Sequence, residues 1–341
     1  MRAVAPRAPT KVEAEALARP EGAAGPRVRL SSRPGARFTP EGVNLGSRGA
    51  GPWKAAPFVD LAIAERRDGR VRVVVNVLQE GEAAPRPANA PKSVGTLIPI
   101  LQTFRLLVWV DEASLDKVLV RDVELRPVDR GSARPKGWDA TISARLGTPC
   151  SLRETRGDEA LIALPFHGGT VSGWVDHTAL GVAFEPARAA ARGEKQGKRR
   201  FVTSGTLHVG KDGLELVGIR HAEAVLRSGG AWSRVDVSDS RAGDITVTAW
   251  IRSSELVEPS IGSIGGIVAQ LDHELSALDG LDDLPRRSIP KGTLLRDPAT
   301  GVVVGITTDD AKLAADAEGR LWAPTAWGPV AVLVDAAAPA P

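Results

Sequence analysis

The sequence predicts an all-β chain of small modules in series, with one amphipathic helix set before the last of them. Three observations predict it. The pattern W-[VI]-x4-L occurs three times, at Trp109, Val110 and Leu115, at Trp174, Val175 and Leu180, and at Trp250, Ile251 and Leu256, so one local structure recurs. Short runs of β-branched and apolar residues are separated by Gly, Pro, Asp and Ser, which is the punctuation of strands and turns. Only one stretch, 263–280, spaces its apolar residues by alternating threes and fours.

Taken in order, residues 1–26 (MRAVAPRAPTKVEAEALARPEGAAGP) are Pro, Ala and charge with no face to bury, and predict a disordered tether. A first β module spans 27–130. In it FVDLAIAERRDGRVRVVVNVL predicts a hairpin turned at Asp68-Gly69, the strand-like runs SVGTLIPIL and RLLVWV follow a Pro-rich loop, and KVLVRDVELRPV closes the unit. A second module spans 140–187, with strands in DEALIALPF and TVSGWV. The segment RAAARGEKQGKRR, 188–200, is basic and apolar-poor and predicts an exposed linker. A third module spans 201–258, and its Trp232 and Trp250 fall on the two arms of a hairpin.

In the linker 259–288, Ile264, Val268, Leu271, Leu275 and Leu278 share one helical face, with Ser263 as N-cap and Gly280 as stop. A fourth module spans 289–335. There VLVD aligns with VWVD, so Leu333 takes the place of the repeated Trp.

The segments SLRETRG and LLRDPATG at module starts, AWSRVDV and LWAPTAW in mid-module, and W-[VI]-x4-L at module ends together resemble bacterial Src-homology-3-like domains. That resemblance implies tandem small β-barrels with one interposed helix. It also implies a binding or targeting role, toward cell-wall peptides or protein partners of the envelope. Many members of the family are joined to peptidoglycan hydrolases. This chain departs from the pattern in having no Tyr and no room for an attached hydrolase.

Charge and chemistry narrow the function. The net charge of +3 gives no reason to expect a nucleic-acid partner. Basic side chains outnumber acidic ones two to one from Met1 to Arg72, and the ratio reverses after Glu255, which suggests self-association through charge asymmetry. No stretch approaches the roughly 20 apolar residues of a transmembrane segment. The single Cys150 permits no internal disulfide.

Cys150 with His167 or His177 is the one candidate for a nucleophile and base, but Cys150 follows Pro149 in strand-like sequence instead of opening a helix, so a packing role is expected. His167, His177, His208, His221 and His273 fall in separate segments without metal-ligand spacing. LDGLDD lacks the ligand order of an EF-hand loop, GSIGGI lacks the Lys and Ser/Thr of a phosphate loop, and KQGKRR lacks interleaved aromatics. The expectation is therefore no catalytic residue, no metal and no cofactor.

Trp109, Trp174, Trp250, Leu115, Leu180 and Leu256 are expected to form the core of the repeats, and the repeats to melt independently. Trp53, Trp138 and Trp327, which sit beside Gly or Pro in loop-like sequence, are the expected partner-binding residues. The predicted function is non-catalytic binding or scaffolding in the bacterial cell envelope. A structural subunit of a larger assembly is the alternative, followed by an unrecognised hydrolase. The location follows as periplasm or outer envelope if a signal segment has been removed, and cytoplasm otherwise.

Overall fold

The fold is given by a computed structural model, which describes residues 7–19, 25–30, 35–42, 45, 59–80, 100–128, 138–186, 197–211, 214–240, 244–258, 284–325 and 328–334. The elements begin with a helix α1 (Lys11–Ala18) and strands β1 (Arg27–Leu30), β2 (Ala36–Arg37), β3 (Val59–Arg67), β4 (Arg70–Glu80) and β5 (Ile100–Asp111). After a 3₁₀ turn at Glu112–Ser114 come β6 (Lys117–Leu119), β7 (Val123–Leu125), β8 (Thr141–Ala144), β9 (Pro149–Arg156), β10 (Glu159–Phe166) and β11 (Gly169–Asp176). A second 3₁₀ turn, His177–Ala179, leads to β12 (Leu180–Gly181), then β13 (Lys198–His208), β14 (Glu215–Ser228), β15 (Trp232–Asp239), β16 (Ile245–Arg252) and a third 3₁₀ turn, Ser253–Glu255. The last unit holds β17 (Arg286–Ile289), β18 (Leu294–Arg296), β19 (Val303–Thr307), β20 (Ala311–Ala315), β21 (Leu321–Thr325) and β22 (Gly328–Val334).

The described chain is mostly β, as expected, but its strands form three sheets and not a row of closed barrels, although β13 also pairs with β16 at His208 and Trp250. An eleven-stranded sheet runs β1-β3-β4-β5-β19-β18-β22-β21-β20-β17, with β2 also on β5, so the first and last modules are one sheet. A five-stranded sheet runs β11-β10-β9-β6-β12 and a six-stranded sheet β13-β14-β15-β16-β8-β7. Strands cross the predicted module boundaries. β6, from the end of the first module, lies between β9 and β12 of the second, and β8, from the start of the second, pairs with β16 of the third. Past β12 the chain returns to the first unit, where Arg27 and Phe184 exchange backbone hydrogen bonds of 2.8 and 2.9 Å.

Glycine permits two of these seams. A Cβ on Gly305 would lie 2.6 Å from the Arg105 carbonyl oxygen where β19 meets β5, and one on Gly173 would lie 2.7 Å from the Arg126 carbonyl oxygen where β11 meets the chain after β7. The two main apolar cores are correspondingly composite. One unites Ile162, Leu164 and Val175 of the second unit with Val247 and Ile251 of the third, and the other unites Val71, Leu106 and Val110 of the first with Leu295 and Val332 of the fourth. Independent modules are thereby replaced by two coupled pairs.

The repeated motif is a real structural repeat. Each copy ends a long strand, passes through a 3₁₀ turn closed by the Leu115, Leu180 or Leu256 amide on the carbonyl three residues back, and then returns alongside a strand that opens the unit. The return is recorded by Asp116 donating to the Arg29 carbonyl at 3.1 Å, by Leu180 opposite Leu119, and by Val257 opposite Phe201. Leu115 lies within one core, and Leu180 and Leu256 are partly buried against the other.

The tryptophans are buried as well, but outside these two clusters. Neighbouring residues of a strand face opposite ways, and Val110, Val175 and Ile251 take the interior. Trp109, Trp174 and Trp250 are buried on the other face, beneath Arg72 (5.8 Å from the ring centroid), Arg156 (4.8 Å) and Lys211 (4.7 Å). Leu333 obeys the same rule, being 36% exposed while Val334 packs inward.

The predicted tether contains α1. Thr10 accepts from the Glu13 amide while the Glu13 carboxylate accepts from the Thr10 amide, a capping box spelled TKVE. Ala16 and Leu17 pack on Val74, Leu107 and Val303, and Glu13 forms a buried ion pair with Arg72 at 3.0 Å. The predicted basic linker is shortened, since Lys198–Arg200 already belong to β13 and Arg199 and Arg200 pair with Glu223 and Glu258. The predicted helix at 263–280 lies outside the described residues. Asp68 and Gly69 both have positive φ, 50° and 71°, as the predicted hairpin turn demands.

Two outcomes follow. Gly305→Ala should destabilise the chain by about 1–3 kcal/mol, the usual cost of forcing an atom into a packed seam, and hydrogen exchange should show protection falling in β5 and β19 together. Burial raises the Glu13 pKa, but the Thr10 amide and the Arg72 guanidinium outweigh it and hold the carboxyl below its ordinary 4.5. A carboxyl with a lowered folded-state pKa stabilises most above its unfolded value. Protection of α1 in hydrogen exchange should therefore be full above pH 4.5 and fall progressively below it, and Glu13→Gln should flatten that profile.

Candidate binding face on the third unit

The outer face of β15 and β16 carries Trp232 and Arg234 on one strand and Trp250 and Arg252 on the next. The antiparallel register sets Trp232 opposite Arg252 and Arg234 opposite Trp250, so rings and guanidiniums alternate in both directions. Arg252 lies 5.5 Å over the Trp232 ring, and His208, at the end of β13, meets the same ring edge-on at 5.0 Å and 84°. The Trp250 indole donates to Asp139 at 3.0 Å, and Asp139 also pairs with Arg234 at 3.2 Å. Below the face, the Ser233 and Ser253 hydroxyls lie 2.6 Å apart and Ser253 donates to the Gly230 carbonyl, which fixes the turn before Trp232 against the third 3₁₀ turn.

Trp250 is thus locked, its N–H used and its ring covered. Trp232 is half-buried, with Arg252 exposed beside it. An aromatic ring beside an exposed guanidinium offers apolar contact and a directed donor together, which suits a peptide carrying a carboxylate next to an apolar or aromatic group.

Of the predicted partner-binding residues, Trp138 is half-buried against the core shared by the second and third units, and its indole N–H donates to the Ala140 carbonyl at 3.0 Å. Trp53 and Trp327 lie outside the described residues. The residues missed by sequence reasoning, Trp232, His208 and Arg252, did leave a signal. W-x-R occurs in AWSRV and again in AWIRS, and alternation in a strand puts that Trp and Arg on one face.

Cys150 is buried in β9, and burial pushes its thiol up to about 12 despite the nearby Lys117. His167 sits in the β10–β11 turn with its ring on the Ser238 carbonyl at 3.0 Å. Among the described residues no group of three or more His, Cys, Asp or Glu side chains could hold a metal ion. An open cleft lined by Arg121, Asp122, Glu124, Arg126, Asp158 and Glu159 lies where β7 meets β11, but its arginines are used within it, Arg121 on Asp176 and Arg126 on Glu159. The Thr178 hydroxyl and amide, with Arg121, hold Asp176 below the usual carboxylate range.

No protein family matches the chain, and no curated protein and no solved structure matches it either.

A thiol with a raised folded-state pKa stabilises fully below its unfolded value and loses that contribution as pH rises above it. Native Cys150 should stay unalkylated by iodoacetamide at pH 8, react fully on denaturation, and contribute to loss of stability above its ordinary 9.0. Rapid alkylation of the folded chain at pH 8 would contradict the packing role.

Proposed function

We propose that the chain is a non-catalytic binding and scaffolding protein of the bacterial cell envelope, built from Src-homology-3-like modules that have exchanged strands. The module assignment draws its support from three units that share a long strand ending in W-[VI], a 3₁₀ turn and a return segment. The ligand is a carboxylate-bearing peptide, of the cell wall or of a partner protein, taken by the face around Trp232. The observation that carries this reading is the Trp232, His208 and Arg252 cluster, where a half-buried aromatic ring lies beside an exposed guanidinium.

The alternative of a structural subunit held by charge asymmetry draws less support. Much of the basic surplus near the N-terminus is spent within the fold, Arg66 on Glu112, Arg70 on Asp111 and Arg72 on Glu13.

Purified peptidoglycan and envelope extract should each be tested for retention of the chain. Trp232→Ala and Arg252→Ala should each weaken retention roughly tenfold or more, the scale of an interface anchor, without lowering Tm. Retention that survives both substitutions would move the site elsewhere, and no retention at all would count against the binding role.

A further inference from the structure

Ring, cation and carboxylate recur as a set of three across the units. Arg72 lies over Trp109 and pairs with Glu13 and Glu65, Arg156 lies over Trp174 and pairs with Glu154, and Arg320 lies over Trp322 and pairs with Asp316 and Glu318. The third unit has the rings and the cations without the acids. Lys211 lies 4.7 Å from the Trp250 ring centroid and Arg252 lies 5.5 Å from that of Trp232, and both residues are exposed. Among the described residues, neither side chain has an ion pair or a hydrogen bond.

The repeat shows where the charge changes. Two residues beyond the repeated Trp, the first two units carry Asp111 and Asp176, whose carboxylates are engaged by Arg70 and Arg121. In the third unit that position is Arg252. Asp139, an acid of the same face, is already engaged by the Trp250 indole and Arg234. One unpaired cation at a surface is ordinary, because water serves it well. Two of them over neighbouring rings form a surface that calls for two anions. Trp232 and Trp250 are diagonal neighbours in the register of β15 and β16, a separation of about 7–8 Å. Alternate residues of an extended chain point the same way at a spacing of about 6.6–6.8 Å, so the two separations match.

We propose that the ligand of this face is an extended segment of a partner protein with acidic side chains at two alternate positions, one carboxylate received by Arg252 and the other by Lys211. The inference rests on the binding role assigned to the face around Trp232 and names its ligand more closely. A single acid leaves one of the two cations unanswered, and adjacent acids point to opposite sides of the strand. An apolar residue one alternate position further along lies on the same side as the acids and can meet the half-buried Trp232 ring.

The test uses the full chain and fluorescent, terminally blocked peptides. Leu-Ser-Glu-Ser-Glu-Ser sets one apolar and two acidic side chains on one face, and Leu-Ser-Glu-Glu-Ser-Ser has the same composition and charge with the acids on opposite faces. The first should bind roughly fivefold more tightly than the second, and than a version with either Glu replaced by Gln, which is the upper scale of one exposed ion pair. Lys211→Gln should remove that preference and leave the single-acid peptides binding nearly as before, and Lys211→Arg should keep it. A Lys211→Glu chain should instead prefer a peptide with Lys in place of one of the two acids. Equal binding of single-acid and alternating peptides, still weakened by Trp232→Ala, would overturn the proposal and leave the binding face standing. So would retention on peptidoglycan that depends on Arg252 and is indifferent to Lys211→Gln, which would put a single-acid wall ligand on the face. Binding of none of the peptides would also overturn the proposal, and absence of retention besides would remove the binding role with it.

Discussion

A small β unit buries only a modest apolar core of its own, and the sharing of strands between units is what the rest of the structure depends on. The second unit takes β6 from the first, the third takes β7 from the first and β8 from the start of the second, and β19 of the fourth lies along β5 of the first. Each exchange merges two small interiors into one larger core. It also places backbone against backbone, and the glycines at 173 and 305 stand where a side chain would strike a neighbouring carbonyl.

Strand sharing has a second consequence, on the face turned from the core. Long strands such as β5, β11 and β16 expose a wide outer surface near their ends, and the repeated Trp covers it with a ring that a cation covers in turn. In the first unit that cation, Arg72, is itself buried and pairs with both Glu65 and Glu13, the second of which ties α1 to the sheet. In the third unit no helix covers the corresponding surface among the described residues, and the same chemistry of rings and cations is left partly open at Trp232. One local device thus yields a closed face in one unit and a candidate binding face in another.

Much of this was legible in the sequence. The all-β class, the hairpin at Asp68-Gly69 and the recurrence of W-[VI]-x4-L follow from period and turn chemistry, which are local. The burial of the motif's Trp was legible but its facing was not, because alternation alone shows that Trp174 and Val175 take opposite faces and not which of them joins the larger cluster. The helix α1 was missed because TKVEAEALA has only two large apolar residues, Val12 and Leu17. Its TKVE capping box was a readable sign, but its stability comes from arginines far along the chain. The pairing of the first unit with the last was illegible for the same reason, since an interrupted repeat suggests neighbours in order. The candidate face around Trp232 was half legible, through W-x-R in two adjacent strands, but His208 joins it only through the fold.

Two coupled pairs of units, rather than a row of independent ones, are the centre of this account. Native-state hydrogen exchange of the unaltered chain across a denaturant series tests it most directly. The strands β3, β4, β5, β18, β19 and β22 should open as one cooperative block and β9, β10, β11, β13, β14, β15 and β16 as another, each with a single opening free energy. Four separate openings in chain order, with β5 and β19 losing protection at different denaturant concentrations, would contradict it.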